Sequence, residues 1–163
     1  VSESRVNDLT QQYKTRGFTD YNELHEQNLD AISLVVQTTL HMPIGLYVIK
    51  SGANLLVEKP IADTLENAEK LTDAADDAGV KLMVGHIERF NPAVAKLKQI
   101  IDSGLLGKIV SISARRVGPY NPRIRDVGVI LDIGVHDIDV IFYLYDKKVN
   151  EVYSLVGAEI PSF

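Results

Sequence analysis

The chain has 163 residues, 45% of them hydrophobic, so it is long enough to bury a sizeable core as one domain or as parts of two. Its 17 Lys and Arg against 22 Asp and Glu give a net charge of −5 without a long run of like charge, which argues against nucleic acid and anionic membranes as partners. The absence of Cys excludes disulfides and thiolate metal sites, and the 4 scattered His predict no metal site. With no apolar stretch of about 18 residues, we expect no membrane span and a cytoplasmic location.

Strand and helix patterns alternate from residue 31 to 84, which predicts right-handed βαβ units in a parallel sheet. The first strand is predicted over 31–36, an almost continuous apolar run typical of a strand covered on both faces. A helix follows, with Pro43 in its first turn and Gly52 after its end. The second strand is predicted over 54–57.

A second helix and a third strand continue this alternation. Asp63 and Thr64 are candidate caps of the helix, with Glu66 at capping-box spacing from Asp63, and Gly79 marks its end. Its buried face is predicted to consist of Ala68, Leu71, Ala75 and Ala78. The third strand is predicted over 81–84.

The next helix begins at Asn91-Pro92, an N-cap followed by a proline at the first helical position, and ends at Gly104. Its predicted apolar face consists of Val94, Leu97 and Ile101. A different pattern begins at about residue 108. Alternating residues predict a half-solvated strand over 108–117, a long helix spans 127–145, and another strand begins at 151–156. We therefore predict a boundary near residue 105, between a parallel α/β unit and the beginning of an α+β unit.

Polar residues follow each of the three predicted parallel strands. They occupy 37–41, Glu58-Lys59 and 85–91. Ligands of parallel α/β sheets bind at the carboxyl ends of the strands, where helix N-termini and loops converge. Solvated turn residues would explain each loop alone, but three in succession at one edge favour a ligand site.

Asp132, His136 and Asp139 lie on one face of the long predicted helix, so they can act on one ligand. Aliphatic neighbours bury most of this helix, and a carboxylate and an imidazole there need polar partners or a cavity. The structural alternative is that Asp132 only holds a core histidine. An imidazole that titrates near pH ~6.5 can accept a hydroxyl proton, while the Lys59 ammonium can stabilise a developing alkoxide. This division of labour suits alcohol oxidation, with Asp132 orienting His136.

Four collinear motifs together resemble the Gfo/Idh/MocA oxidoreductases. They are Thr38-Thr39-Leu40-His41, Val57-Glu58-Lys59-Pro60, the stretch from Gly85 to Pro92, and the stretch from Asp132 to Asp139. The resemblance implies an α/β fold class: a partial Rossmann-like, dinucleotide-binding parallel sheet over 1–105, followed over 106–163 by part of a substrate-binding α+β open-faced sheet domain. The chain is identified as a member of this family on those motifs.

The same resemblance implies an NAD- or NADP-dependent dehydrogenase that oxidises a secondary alcohol of a sugar. The implied catalytic residues are Lys59, Asp132 and His136, the cofactor-binding residues are Thr38, His41, Glu58 and Lys59, and the substrate-binding residues are Arg89, Asn91, Arg116, Arg123 and Arg125. The chain is most like members that act on nucleotide-activated amino sugars, such as UDP-N-acetylglucosamine. Guanidinium groups suit a diphosphate, although exposed arginines beside prolines are also ordinary loop composition.

Three departures from the family pattern matter. The first strand and glycine-rich turn have no counterpart before Val1-Ser2-Glu3, the family's later sheet strands would lie beyond residue 163, and Gln37 stands where many relatives have proline. We therefore expect an internal portion of a longer enzyme that, as it stands, does not bind a dinucleotide normally.

Two other functions remain open. One is a non-catalytic regulator that binds a sugar or dinucleotide, and the other is a truncated domain that associates through an exposed sheet edge. We expect a small-molecule sugar or nucleotide sugar as ligand and a homo-oligomeric state. The identity of the sugar, the reaction direction and the choice between NAD and NADP stay open.

Overall fold

Alternating strands and helices form a three-stranded parallel sheet in the order β1 (Ala31–Leu34), β2 (Asn54–Val57), β3 (Leu82–Val84). This computed structural model describes residues 2–117 and 128–157. The helices are α1 (Glu3–Tyr13), α2 (His41–Lys50), α3 (Leu65–Ala78), α4 (Pro92–Asp102) and α5 (Val135–Tyr145). Short 3₁₀ turns occur at Tyr21–Gln27, Thr38–Leu40 and Ile87–Phe90, and a π-helical turn at Ile130–Gly134 leads into α5. The parallel α/β arrangement predicted for residues 31 to 84 is confirmed.

Strand β1 ends at Leu34 instead of residue 36. Leu34 pairs with Val57, the last residue of β2, and the Leu34 carbonyl accepts the Glu58 N–H at 3.1 Å. Val35 and Val36 then lie 70% and 40% exposed. The prediction of a strand covered on both faces is wrong, because alternate residues of β1 are exposed and, among the described residues, β1 pairs with β2 alone.

The main core lies where α2 and α3 pack against the sheet. Its buried members are Leu34, Val48, Ile49, Ala53, Leu55, Val57, Leu71 and Ala75. On α3, the predicted buried face is confirmed at Leu71 and Ala75, whereas Ala78 is exposed. Ala78 is the last helical residue, and Val80, after the turn at Gly79 (φ 66°), packs against the core in its place.

Local capping explains where α3 and α4 begin. The Thr64 side chain accepts the Asn67 N–H at 3.2 Å, so Thr64 is the N-cap of α3 and the predicted pairing of Asp63 with Glu66 is wrong. The Asn91 side chain accepts the Ala93 N–H at 3.0 Å, so the predicted start of α4 is confirmed. Along α4, Val94 and Ile101 are half-buried and Leu97 is 39% exposed.

Beyond α4 the structure departs from the predicted strands. Residues 108–117 and 151–156 form no strand, since neither segment pairs with another backbone within the described ranges, and a strand needs such a partner for its backbone groups. The helix predicted over 127–145 is present as the π-helical turn and α5 together, with residue 127 outside the described ranges. None of the helices in 2–117 and 128–157 has the length and apolar character needed to cross a membrane.

Candidate active site

The loop after β2 brings a lysine to the helical segment that carries the predicted acid and base. Lys59 Nζ donates to the Asp132 backbone carbonyl at 2.6 Å and to Asp132 Oδ1 at 3.0 Å, and both side chains are only 18% exposed. Charge-assisted hydrogen bonds of this kind are about twice as strong as neutral ones. The expectation that Asp132 orients His136 is not met in this geometry, because the Asp132 carboxylate faces the lysine.

His136 lies four positions after Asp132 and lines the same cavity, which measures about 340 Å³. The other lining residues are Lys59, Arg116, Val117, Asp132 and Ile133. His136 Nδ1 is buried and has no hydrogen-bond partner among the described residues. The ring therefore has one nitrogen shielded from solvent, which leaves Nε2 as the nitrogen that a ligand can approach.

The surroundings of His136 favour its neutral form. Burial, then the positive charges of Lys59 and Arg116, lower the pKa of His136 from its ordinary value, while the carboxylates of Glu88 and Asp132 offset part of this effect. A neutral imidazole at pH 7 can accept a proton, so the cavity holds a base next to an ammonium group.

Arg116 lines the cavity and is paired with two carboxylates. Its guanidinium donates to both oxygens of Asp137 at 2.9 to 3.1 Å and to Glu88 Oε1 at 3.3 Å. Hydrogen bonds from Asn91 and then from Arg116 lower the pKa of Glu88. Glu88 and Asp137 were not singled out as binding residues from the sequence, because nothing in their spacing links them to a residue as distant as Arg116.

Two other predicted substrate-binding residues are engaged within the protein. Arg89 pairs with the buried carboxylate of Asp139, with Nη2 2.6 Å from Oδ1. Asn91 caps α4 and donates to Glu88 Oε2 at 3.3 Å. Neither residue lines the 340 Å³ cavity. The last two predicted substrate-binding residues, Arg123 and Arg125, lie outside the described residues.

The predicted cofactor-binding residues differ in accessibility. His41 is 1% exposed, with Nδ1 2.9 Å from the Pro60 carbonyl and Nε2 3.2 Å from the Val36 carbonyl, so it joins the loops after β1 and β2 and presents no accessible surface to a ligand. Thr38 is 6% exposed. Glu58 is half-buried, and its carboxylate accepts the Lys59 N–H at 3.2 Å. The sequence places all three at the correct sheet edge but does not indicate which of them are covered.

A close approach of Glu58 to the next loop explains why glycine follows β3. A Cβ added at Gly85 would lie 3.3 Å from the Glu58 carboxylate, tighter than an ordinary van der Waals contact. The Glu58 carboxylate and the backbone of Gly85 therefore lie side by side at the ends of β2 and β3.

The predicted site residues do not line a second, larger cavity of the described residues. A mostly apolar cavity of about 590 Å³ runs beside β1 and is lined by residues such as Ile32, Val36 and Tyr47, without any of the predicted site residues. We assign the site to the smaller cavity because charge and a perturbed imidazole converge there. Within residues 2–117 and 128–157, no group of three or more His, Cys, Asp or Glu side chains is arranged to hold a metal ion.

A parallel sheet with helices packed on it and ionisable groups at its carboxyl edge is the arrangement of the Rossmann-like folds, whose ligands bind at that edge. Comparison with family models agrees. A model of an oxidoreductase family with an NAD-binding Rossmann fold matches residues 1–86, and a model of the GFO/IDH/MocA C-terminal domain matches residues 94–162. The chain belongs to the Gfo/Idh/MocA oxidoreductase family, as its four motifs predict.

Particular relatives include two curated dehydrogenases. The chain is 31% identical over 156 residues to UDP-N-acetylglucosamine 3-dehydrogenase of Acidithiobacillus ferrooxidans, which covers 96% of this chain and 48% of that protein. It is 28% identical over 136 residues to scyllo-inositol 2-dehydrogenase (NAD(+)) of Bacillus subtilis, covering 81% and 40% of the two chains. The chain therefore spans about half or less of the length of these relatives.

The fold also matches solved structures. The crystal structure of a probable dehydrogenase from Thermotoga maritima superposes with a TM-score of 0.80 at 25% identity, over 91% of this chain and 47% of that one. The absence of strands in 108–117 and 151–156 does not prevent the overall match.

Proposed function

We propose that the protein oxidises a secondary alcohol of a sugar or polyol with a nicotinamide cofactor, and that Lys59, Asp132 and His136 carry the chemistry. The observation that supports this most directly is their convergence on one cavity, with Lys59 Nζ 3.0 Å from Asp132 Oδ1 and His136 on the same wall. Lys59 and Asp132 are 73 positions apart in the chain, so only the folded structure brings them together.

In this proposal His136 is the general base. Its lowered pKa keeps the ring neutral at pH 7, and its unshielded nitrogen accepts the proton of the substrate hydroxyl. Lys59 stabilises the negative charge that develops on the same oxygen. Asp132 holds Lys59 in place through the 3.0 Å contact. The proton thus passes to His136 as the hydroxyl-bearing carbon loses its hydride and becomes a carbonyl.

The residues at the sheet edge fit a nicotinamide cofactor. Glu58 and Gly85 form a wall of carboxylate and bare backbone at the ends of β2 and β3, where a ribose hydroxyl can donate to a carboxylate. Lys59, the next residue, faces the opposite side toward Asp132. The cofactor, when bound, would supply the hydride acceptor.

For the substrate we propose a sugar, and more narrowly a nucleotide-activated amino sugar. The relative from Acidithiobacillus ferrooxidans and the presence of Arg116 among the residues that line the cavity support the narrower class. The guanidinium of Arg116 is already paired with Asp137 and Glu88, which favours an uncharged substrate. A simple polyol such as scyllo-inositol is therefore the competing substrate.

The test is reduction of NAD or NADP by the complete gene product that contains this chain. We expect Lys59→Met to lower kcat about 10²- to 10³-fold and His136→Asn about 10²- to 10⁴-fold. Lys70→Met is the matched control, because Lys70 is exposed on α3 and its ion pair is with the exposed Glu66 of the same helix. Wild-type rates in both site variants would refute the catalytic assignment. Ligand binding without turnover by the wild type would favour a regulator instead.

Separate measurements test the substrate and the organisation of the protein. If the narrower substrate class is correct, we expect kcat/KM to be higher for UDP-N-acetylglucosamine than for scyllo-inositol. We also expect Arg116→Gln to lower the kcat/KM for UDP-N-acetylglucosamine.

We also propose a domain boundary near residue 105 and a homo-oligomeric state. Limited proteolysis should cleave near residue 105, and light scattering should report a mass above that of one chain.

A further inference from the structure

We propose that Arg89 and Asp139 are a positioning pair that fixes helix α5 against the sheet, so that His136 is held at the cavity. This inference rests on the proposed role of His136 as the base. It also assigns Arg89 a different task from the substrate contact that the sequence predicts.

The contact between the two side chains is a fork on a buried carboxylate. Arg89 Nε donates to Asp139 Oδ2 at 2.9 Å and to Oδ1 at 3.2 Å, and Nη2 donates to Oδ1 at 2.6 Å. Asp139 is 7% exposed and is the one carboxylate among the buried residues of the described ranges. A buried charge is strongly unfavourable without a hydrogen-bonded partner, so helix α5 depends on Arg89 for its packing.

Arg89 contacts α5 at a second point, one turn further along. Its guanidinium carbon lies 5.4 Å from the centroid of the Tyr143 ring, in cation–π range. His86, from the same segment after β3, places Nδ1 3.6 Å from Asp139 Oδ1. The segment that leaves β3 therefore contacts successive turns of the helix.

His136 lies between two such pairs along the helical segment. Lys59, after β2, binds Asp132, and Arg89, after β3, binds Asp139. Asp132 lies in the π-helical turn and Asp139 in α5, so His136 lies between the two carboxylates along this helical segment. The segment is therefore bound to the loops after two adjacent strands, and the two contacts together restrain its rotation more than either contact alone.

Arg89 is 44% exposed, so a role in binding substrate directly is the alternative that the experiment has to distinguish. The variants are Arg89→Lys, which keeps the charge but loses the fork, Arg89→Gln and Asp139→Asn. Glu66→Gln is the matched control, because it removes a carboxylate from an exposed ion pair on α3. All variants are made in the complete gene product, and far-UV circular dichroism reports whether each one folds.

Two readouts are measured. The first is the NMR titration of the His136 ring, which is surrounded by Lys59, Arg116, Glu88 and Asp132. Release of the helix moves the ring away from the cations and toward solvent, so we expect its titration midpoint to rise by about 0.5 pH unit or more. The second is steady-state kinetics, where we expect kcat to fall about 10- to 100-fold with KM within about threefold of wild type, because small misplacements of a base are costly.

The outcomes are separable. A raised KM with unchanged kcat and an unmoved His136 titration would show that Arg89 binds substrate, and would overturn the positioning role. Unchanged kinetics and titration in all three variants would overturn it as well. If the Gln and Asn variants fail to fold, Arg89→Lys decides on the same two readouts. An inactive wild type would refute the proposed function, while the titration shift would still test the pair.

Discussion

Gly45 in α2 faces a part of the core that has no room for a methyl group. A Cβ at Gly45 would lie 2.7 Å from Leu71 Cδ2 and 3.2 Å from Leu55 Cδ2. Leu71 is 0% exposed and Leu55 is 1% exposed, so neither side chain can swing into solvent. Overpacking of this kind costs about 1 to 3 kcal/mol, and replacing a helical glycine by alanine returns about 1 kcal/mol. We therefore expect Gly45→Ala to lower the free energy of unfolding by about 1 kcal/mol.

Leu71→Ala creates the opposite defect at the same place. Removal of a fully buried leucine costs about 3 to 4 kcal/mol through lost burial and the cavity left behind. If the two changes acted independently, the double variant would lose about 4 to 5 kcal/mol. In the double variant the methyl of residue 45 enters the space that Leu71 leaves, so the clash with Leu71 disappears. We expect a loss of about 2 to 3 kcal/mol, which is a favourable coupling of about 2 kcal/mol.

Urea denaturation followed by far-UV circular dichroism measures all four free energies, provided that the denaturant slope is unchanged. Leu65→Ala is the control, because Leu65 lies on the same helix and is 75% exposed, and it should change stability by less than about 0.5 kcal/mol. Additivity of the two core substitutions within about 0.5 kcal/mol would refute the packing described between α2 and α3.

Three further predictions concern the site. The lowered pKa of His136 predicts that kcat/KM rises with pH through a midpoint below the ordinary histidine pKa near ~6.5, and that His136→Asn abolishes this rise. The folded state binds this proton less tightly than the unfolded chain does, so the free energy of unfolding should also fall as the pH drops below ~6.5. Urea titrations at several pH values measure this fall, which should be smaller in His136→Asn. Gly85→Ala should displace the Glu58 carboxylate, which would lie 3.3 Å from the new methyl, and weaken cofactor binding about tenfold by calorimetry; an unchanged Kd contradicts the assignment of Glu58. Asn91→Ala should cost about 1 kcal/mol of stability through the lost cap of α4 and leave KM unchanged, whereas a raised KM at unchanged stability would restore Asn91 as a substrate ligand.

Elements with local signals were predictable from the sequence. β2 occupies the predicted residues, and Asn91-Pro92 and Gly79 act as the predicted helix start and end. The last residue of β1 was not predictable from the sequence, because the neighbouring strand β2 determines it. β2 ends at Val57, which lies opposite Leu34, so β1 ends at Leu34. The alternating residues of 108–117 show the same limit, since a pattern indicates which side chains share a face but not whether a second backbone lies beside them.

In the candidate site, too, the sequence predicted which side chains share a helix face but not which residues those side chains contact. Helical spacing predicted Asp132, His136 and Asp139 on one stripe; Asp132 and His136 line one cavity, whereas Asp139 does not line it. The spacing could not assign Lys59 to Asp132 or Arg89 to Asp139. These partners are separated by 73 and 50 positions in the chain, so only the folded structure brings them together. Composition and spacing likewise do not reveal that His41 is covered.

Glu58 and Lys59 are neighbours in the chain, yet their side chains serve different parts of the protein: one lies against Gly85 and the other binds Asp132. Successive residues leaving a strand point to opposite sides, so this division depends on the count of residues since the strand began. Insertion of one residue within 54–57 would move Glu58 into the position of Lys59 and place its carboxylate at Asp132, where it would be repelled. Deletion of one residue would move Glu58 into the fully buried position of Val57. The strand should therefore accept changes of side chain far more readily than changes of length.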